Sequence, residues 1–189
     1  NKSAAMAAEL SRSVTREGLS IRAVPEYLSH KNCREIIKPG DTILLCVDNH
    51  ATRKLASQRM AELDDGLLIS GGNEGVGPGE RGTYGNVQIW LREQGQDTAG
   101  APLEMFHPEI AEPQDKNPDE LDCMELAAQG TPQLALTNLA VATAMLSALL
   151  RIVMLPPGET MYDEVCLDIL DAKSVAYWVT RPQQTGSPL

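Results

Sequence analysis

Two kinds of hydrophobic pattern alternate along the first 70 residues. Met6, Leu10 and Val14 recur every four residues, which is typical of one face of an amphipathic helix. The run TILLCVD at 42–48 is too short for a helix and apolar on both faces, as in a central strand of a parallel sheet. The alternation indicates an α/β fold with a Rossmann-like, doubly wound and mostly parallel sheet. The same criteria predict helices over 2–16, 32–37 and 51–63, and strands over 19–24, 42–48 and 66–70.

The pattern changes after residue 70. A glycine-rich loop at 71–85 leads into 86–92, where apolar and polar residues alternate as in an edge or antiparallel strand. Near the end, 164–170 and 174–180 predict a β-hairpin within 160–180, which gives the sheet antiparallel C-terminal strands. We expect residues 1–182 to form one domain and 183–189 to be a disordered tail.

The most apolar stretch, 134–155, predicts a long helix over 132–154. Because Thr137, Asn138 and Arg151 interrupt it, we interpret it as a buried helix packed on the sheet, and no membrane span is expected. The chain has no apolar leader, and its four cysteines are too few and scattered for a disulfide scaffold. Both observations favour a cytoplasmic protein, here a piece of a longer one because the chain begins without methionine.

Charge is distributed unevenly. The net charge of -10 argues against nucleic-acid binding, which needs a basic face. Nine of the 26 acidic residues lie in 97–129, together with a single lysine. We therefore expect 93–130 to be an acidic crossover loop on the surface, partly mobile and suited to a basic partner.

The strongest local candidate is Asp48-Asn49, directly after the strand at 42–48. Ligands of open α/β sheets bind beyond the carboxyl ends of strands, so Asp48 can hold a metal ion or a ligand hydroxyl there. With equal weight, the pair can simply cap the following helix. Arg53, four residues after Asn49, is by itself typical of a solvated or salt-bridged arginine.

Other chemical motifs are weak. Residues 77–82, GPGERG, match G-x-G-x-x-G but precede a strand instead of a helix, so we reject a dinucleotide-binding role for this loop. The failed motif disfavours a dinucleotide-dependent oxidoreductase, which is our third hypothesis. His50 has no histidine or cysteine neighbour at zinc-binding spacing, and no catalytic triad can be assembled. Acidic neighbours of Cys123 favour an unreactive thiol.

Several segments, in the same order, resemble the ThiF/MoeB/HesA family of adenylating proteins, which is related to ubiquitin-activating enzymes. The resemblance covers about residues 1–155 and is greatest to ThiF-like proteins of bacterial mobile-element gene clusters. It identifies the chain as the C-terminal portion of that fold, with the N-terminal half of the sheet missing. The segments are NKSAAMAAELSRSV, LLCVDNHATRKLASQRM, GLLISGGNEG and TPQLALTNLAVATAMLSALL.

The resemblance implies ATP-dependent adenylation of the C-terminal carboxylate of a small ubiquitin-like or sulfur-carrier protein. Asp48 would hold magnesium against the phosphates, and Asn49 would help to bind the cofactor. Lys2 matches the phosphate-contacting lysine of the family. Arg53 matches its helix arginine, a brace near the nucleotide. Cys123 lies where some members keep a thiol that accepts the activated carboxyl. Loops 71–85 and 93–130 would receive the C-terminal tail of the carrier protein. Members of the family are often dimers, so the resemblance predicts a homodimer.

The chain also departs from the family. The glycine-rich phosphate loop, the ribose-binding acid and a further arginine precede the lysine in the family and have no counterpart here, and the paired Cys-x-x-Cys zinc motif is absent. We therefore expect the fragment alone to be inactive and the parent protein to carry the activity. The alternative is a non-catalytic interaction module that binds a partner through its acidic loop.

Overall fold

The computed structural model describes residues 2–122, 124–125, 132–154, 156 and 161–178. The α-helices are α1 (Lys2–Ser13), α2 (Cys33–Ile36), α3 (His50–Ala61) and α4 (Ala135–Met154). The strands are β1 (Thr42–Leu45), β2 (Gly66–Asn73), β3 (Val76–Gly77), β4 (Glu80–Arg81), β5 (Tyr84–Glu93), β6 (Gln96–Gly100), β7 (Glu164–Asp168) and β8 (Lys173–Tyr177). Three short 3-10 helices follow β6, at Leu103–Met105, Pro108–Ile110 and Pro118–Glu120.

Six strands form the main sheet, in the order β1-β2-β5-β7-β8, with β6 also paired to β5. Strands β1 and β2 are parallel, with Thr42 opposite Leu67. The pairs β2–β5, β5–β6, β5–β7 and β7–β8 are antiparallel. The α/β class, compatible with a Rossmann-like fold, and the antiparallel C-terminal strands are thus confirmed. The parallel part of the described sheet is smaller than predicted, because β5 runs antiparallel to β2.

Successive residues of β2 point to opposite faces of the sheet, and each face has its own core. Ile69 contributes to the cluster under α4, whereas Leu68 packs with α3 and the 3-10 segment. Trp90 of β5 is fully buried on the α3 side. The sheet therefore lies between α4 on one side and α3 with the crossover on the other, in three layers.

Two strand predictions were wrong in detail. β1 is an edge strand of the described sheet instead of a central one, and its Leu44 is 41% exposed. Residues 19–24 form no strand. Leu19 is exposed, and Ile21 and Ala23 are only partly buried. The alternation of apolar and polar residues is therefore not accompanied by a neighbouring strand with which this segment could pair. The hairpin prediction is confirmed by β7 and β8, and the division into 1–182 plus a tail stays a prediction because residues 179–189 lie outside the described part.

The crossover is more ordered than its composition predicted. Its first part pairs as β6 with β5, and the 3-10 segment buries Leu103 and Ile110 against α3. Several acids point inward to protein partners instead of to solvent; Glu104, for example, accepts a hydrogen bond from Ser57 at 2.7 Å. In the described residues up to 122, apolar residues interspersed among the acids anchor the segment. The expectation that the crossover is a partly mobile surface excursion stays a prediction.

Helix α4 was expected to be buried, but only one of its faces is. Thr137, Val141, Met145 and Ala148 are buried on β2 and β5, whereas the opposite face is exposed. Among the described residues, α4 is the one helix that is long and apolar enough to cross a membrane by length and composition. The inner face of α4 is part of the hydrophobic core on the sheet. The length and composition of α4 therefore do not by themselves make it a membrane-spanning helix.

Candidate functional site

The carboxyl ends of β1 and β2 meet at the start of α3, and the two halves of Asp48-Asn49 behave differently there. The Asn49 side chain caps α3, since its Oδ1 accepts the Thr52 N–H at 2.7 Å. Asp48 is exposed and has no hydrogen bond or ion pair to any described residue. Capping thus accounts for Asn49 but leaves the Asp48 carboxylate available to a ligand.

Arg53 is buried, contrary to the expectation of a solvated side chain: its exposed fraction is 7%. Its guanidinium donates to Ser70 Oγ at 2.8 Å, to the Val47 carbonyl at 2.6 Å and to the Gly71 carbonyl at 2.7 Å. Burial lowers the pKa of Arg53, and the nearby Asp48 charge opposes that shift. The arginine ties α3 to the ends of β1 and β2, which fixes the position of Asp48.

A cavity of about 230 Å³ opens beside Asp48. Its floor is the glycine pair that ends β2. A Cβ on Gly71 would lie 2.4 Å from Met145 Sδ, and one on Gly72 would lie 2.5 Å from Asn86 Oδ1, so only glycine fits at either position. We call Asp48 and the two glycines of this cavity, together with Arg53 that binds the strand ends, the strand-end site.

Asparagine amides and a thiol complete the wall of this cavity. Asn73 donates a hydrogen bond to Asn138 of α4, which joins β2 to the helix. Cys46 also lines the cavity, and its thiol was not singled out by sequence reasoning. Burial raises the pKa of Cys46, with Arg53 acting in the opposite direction, so this thiol is not an activated nucleophile.

A second cavity, of about 210 Å³, lies on the other side of Asp48, between β5 and the crossover. Asn86, His107 and Glu109 line it. Together with Glu164 they form a hydrogen-bonded group that we call the histidine network. His107 Nε2 lies 2.7 Å from Glu164 Oε1, and its Nδ1 lies 3.0 Å from Glu109 Oε1. Asn86 also donates to Glu164, at 2.8 Å. The network connects the crossover to β5 and β7.

Both ring nitrogens of His107 face carboxylates, an arrangement that stabilises the imidazolium. The hydrogen bond to Glu164 is the main cause that raises the pKa of His107, and partial burial opposes it. For Glu164, burial acts to raise the pKa, but the hydrogen bonds from His107 and Asn86 outweigh it and the net pKa is lowered. Both shifts favour the ionic form of the pair, with the positive charge at the crossover.

The crossover also contacts the N-terminus of α3. The carboxylate of Asp115 accepts the N–H of His50 at 2.7 Å and that of Ala51 at 2.8 Å. Lys54 donates to the Ala111 carbonyl at 2.7 Å. A carboxylate at a helix N-terminus is favourable because it meets unpaired N–H groups and the positive end of the helix dipole. Asp115 thus holds the crossover over the helix that follows Asp48.

Of the other predicted site residues, Lys2 is described by the structure and Cys123 is not. Lys2 is exposed at the start of α1 and lines a separate cavity with Ser3 and residues 24–27. Cys123 lies outside the described residues, so its predicted role is untested. Within the described chain, no group of three or more His, Cys, Asp or Glu side chains has the geometry to hold a metal ion. A magnesium ion bound to Asp48 would consequently need oxygen atoms of a ligand to complete its coordination shell.

Sequence reasoning missed the histidine network. His107 is far from His50 along the chain, yet both residues line the second cavity. Glu164 is 57 residues beyond His107, and no motif links them. By contrast, the rejection of the glycine motif agrees with the structure: β3 and β4 form a hairpin, and Gly79 has φ of 87° in its turn.

Two comparisons with known proteins bear on this site. The sequence profile of the ThiF family matches residues 1–174, which is most of the chain. The search of curated proteins finds no match. The family match covers Asp48, Arg53, both glycines and the histidine network.

Proposed function

Because the chain belongs to the ThiF family, whose activity is of the adenylating, activating-enzyme type, we propose that the protein containing it adenylates the C-terminal carboxylate of a small carrier protein. The carrier would be ubiquitin-like or a sulfur carrier. The proposal rests on one observation above all: Asp48 presents a carboxylate without a protein partner among the described residues, beside a cavity at the point where ligands of α/β sheets bind.

The donor chemistry of the strand-end site fits magnesium ATP in part. Magnesium in phosphate-binding sites takes one or two carboxylates and completes its shell with phosphate oxygens and water. Asp48 provides such a carboxylate, and the Asn73 and Asn138 amides line the same cavity. The described residues hold no strand–glycine loop–helix unit for the phosphates, so further groups would have to complete the nucleotide site. When bound, magnesium ATP supplies the phosphorus that the carrier carboxylate attacks, with pyrophosphate as leaving group.

The residues of this chain would act mainly by positioning. Arg53 donates its hydrogen bonds to three protein acceptors and would hold Asp48 in place without touching the nucleotide. Lys2 would contact phosphate, which requires α1 to approach the strand-end site. Cys123 would accept the activated carboxyl in a later step. For Lys2 and Cys123 the support is the family resemblance of the surrounding sequence.

The second cavity is our candidate for the carrier tail. It is open, borders Asp48, and lies between β5 and the crossover, so an extended C-terminal tail entering it would bring its carboxylate towards the strand-end site. Since Asp115 and Lys54 bind the crossover to α3, the width of this cavity depends on those contacts.

The test is pyrophosphate exchange by the full-length protein with a candidate carrier, in the presence of magnesium. We expect Asp48→Asn to lower the exchange rate at least about 100-fold, because a positioned metal neutralises the charge that develops on the phosphates. The matched control is Asp64→Asn, which changes another exposed aspartate at the far end of α3. Equal rates for wild type and Asp48→Asn would contradict the proposal.

The alternative, a non-catalytic module that binds a basic partner through its acidic crossover, gains little support. Glu104, Glu109 and Asp115 are already bound by Ser57, His107 and the N-terminus of α3. If the full-length protein shows no exchange but binds the carrier with an affinity that falls steeply with salt, the module is the better account.

A further inference from the structure

The polar side chains that line the second cavity differ in whether the protein already satisfies them. Six of them are hydrogen-bonded to other described residues: Arg53, Glu74, Asn86, Gln88, His107 and Glu109. Asp48 and His50 line the same cavity, and neither side chain forms a hydrogen bond to a described residue. These two side chains are therefore available to a ligand in this cavity.

His50 is the less expected of the two, because part of its ring is buried. Its Nδ1 is the one buried side-chain nitrogen or oxygen atom without a hydrogen-bond partner in the described part of the chain. Buried polar atoms in folded proteins are nearly always paired, so this exception calls for a partner from outside the chain. The backbone of His50 is fixed by the hydrogen bond from its N–H to Asp115, whereas no hydrogen bond holds the ring.

The burial of Nδ1 also indicates which kind of partner it needs. A buried N–H without an acceptor is costly, so the neutral imidazole should carry its proton on Nε2 and leave Nδ1 as an acceptor. An acceptor needs a donor from the ligand. The ionised phosphates of a nucleotide offer acceptors, whereas an extended peptide offers a backbone N–H at each residue other than proline.

We propose that His50 binds the carrier tail, with Nδ1 accepting a backbone N–H of the extended peptide. This inference rests on the adenylation proposal, which assigns the second cavity to that tail. His50 lines the second cavity but not the first, and Asp48 borders both. His50 would therefore hold the peptide on the carrier side of Asp48. The ring presents Nδ1 by rotating about χ2, which breaks no hydrogen bond of Nδ1 because it has none.

A metal ion is the rival partner, since imidazole nitrogens bind transition metals. Asp48 and His50 are two residues apart, but they belong to no described group of three or more His, Cys, Asp or Glu side chains that could hold a metal. Magnesium prefers oxygen ligands and would leave Nδ1 unpaired. A peptide N–H satisfies Nδ1 without any further protein ligand.

The proposal is tested by NMR of the ring nitrogens while the 189-residue chain is titrated with two peptides. N-acetyl-hexaglycine has backbone N–H groups and no side chains. N-acetyl-hexasarcosine has the same backbone carbonyls and terminal carboxylate, but its methylated nitrogens cannot donate. We expect Nδ1 of His50 to be unprotonated in the free chain and its resonance to shift with millimolar hexaglycine but not with hexasarcosine. His30, which is exposed and does not line the cavity, should not shift.

Variants separate a contact from a structural effect. His50→Ala should weaken hexaglycine binding about fivefold, as expected for one lost hydrogen bond. His50→Asn should stay within about twofold of wild type, because its side-chain oxygen can stand near the position of Nδ1. His30→Ala is the matched control and should bind like wild type.

Several results would overturn the proposal: a protonated Nδ1 in the free chain, no shift with hexaglycine, equal shifts with both peptides, or unchanged affinity of His50→Ala. Loss of the hexaglycine shift on addition of EDTA would assign Nδ1 to a metal instead. The titration needs neither ATP nor turnover, so it can fail while pyrophosphate exchange is retained. If exchange is absent but hexaglycine binds through His50, the adenylation proposal fails and His50 remains a peptide-binding residue.

Discussion

The strand-end site and the histidine network border the same aspartate but are built in different ways. The first is assembled from residues close together in sequence: Asp48, Arg53, Gly71 and Gly72 belong to one strand–helix–strand unit. The second joins β5, the crossover and β7, across up to 78 residues. In the strand-end site, the buried Arg53 makes the hydrogen bonds that hold the strand ends together, and Asp48 stays exposed. In the histidine network, the polar side chains hydrogen-bond to one another, which indicates that they hold the crossover against β5 and β7.

The largest effect is expected for Arg53→Ala. It would leave Ser70 Oγ and the carbonyls of Val47 and Gly71 without their donor in a buried position, at a cost of about 3 kcal/mol in the free energy of unfolding. Urea denaturation measures this cost. The control is Arg34→Ala, which removes only a surface ion pair with Glu62 and should cost well under about 1 kcal/mol. Similar losses for the two variants would show that Arg53 is not the anchor of the strand-end site.

Gly71→Ala should have the next largest effect, about 2 kcal/mol, because the added Cβ forces Met145 and Val141 of α4 away from the sheet. Gly77→Ala is the matched control, since its Cβ would meet no atom closer than 3.6 Å. Thermal denaturation of both variants checks the difference. If Gly71→Ala is as stable as the control, the helix is not packed tightly on the glycine floor.

Glu164→Gln should weaken the histidine network by about 1 kcal/mol, because an ion pair becomes a neutral hydrogen bond. The clearer readout is the titration of His107 by NMR. In wild type its midpoint should lie above the ordinary 6.5, and Glu164→Gln should lower it. Glu109→Gln, on the more exposed side of the ring, should lower it less. An unshifted midpoint in wild type would mean that the two carboxylates do not hold the imidazolium.

The same shifts give the network a pH window. The pKa of His107 is raised in the folded protein, so its contribution to stability is full below pH 6.5 and is lost as the pH rises through the folded pKa. The pKa of Glu164 is lowered, so its contribution is full above pH 4.5 and is lost as the pH falls through its folded pKa. The difference in unfolding free energy between wild type and Glu164→Gln should be greatest between pH 4.5 and pH 6.5. A difference that increases further as the pH rises above the folded pKa of His107 would contradict the assignment.

The contrast between the two sites explains how far the sequence could predict them. Asp48 was found because a short apolar strand followed by a helix places its end residue at a known kind of binding position. The burial of Arg53 was missed, since its three acceptors lie on the ends of β1 and β2, and helix spacing alone does not show that they converge. His107 and Glu164 meet only because β7 pairs with β5, a long-range register that local patterns do not contain.

The fold shows the same limit. The buried pattern of β2, the cap at Asn49 and the terminal hairpin are local signals and were predicted correctly. The edge position of β1, the packed crossover and the exposed face of α4 depend on which elements become neighbours. The pattern of α4 was apolar all round, which is typical of a buried helix, so the sequence did not distinguish its inner face from its exposed outer face.

The account requires Asp48 to be a functional residue and not a structural one, and the free energy of unfolding of Asp48→Asn tests this most directly. Since Asp48 has no hydrogen bond or ion pair within the described chain, the variant should unfold within about 0.5 kcal/mol of wild type. A loss of more than about 1.5 kcal/mol would contradict the central claim, because it would show that the carboxylate already serves the fold.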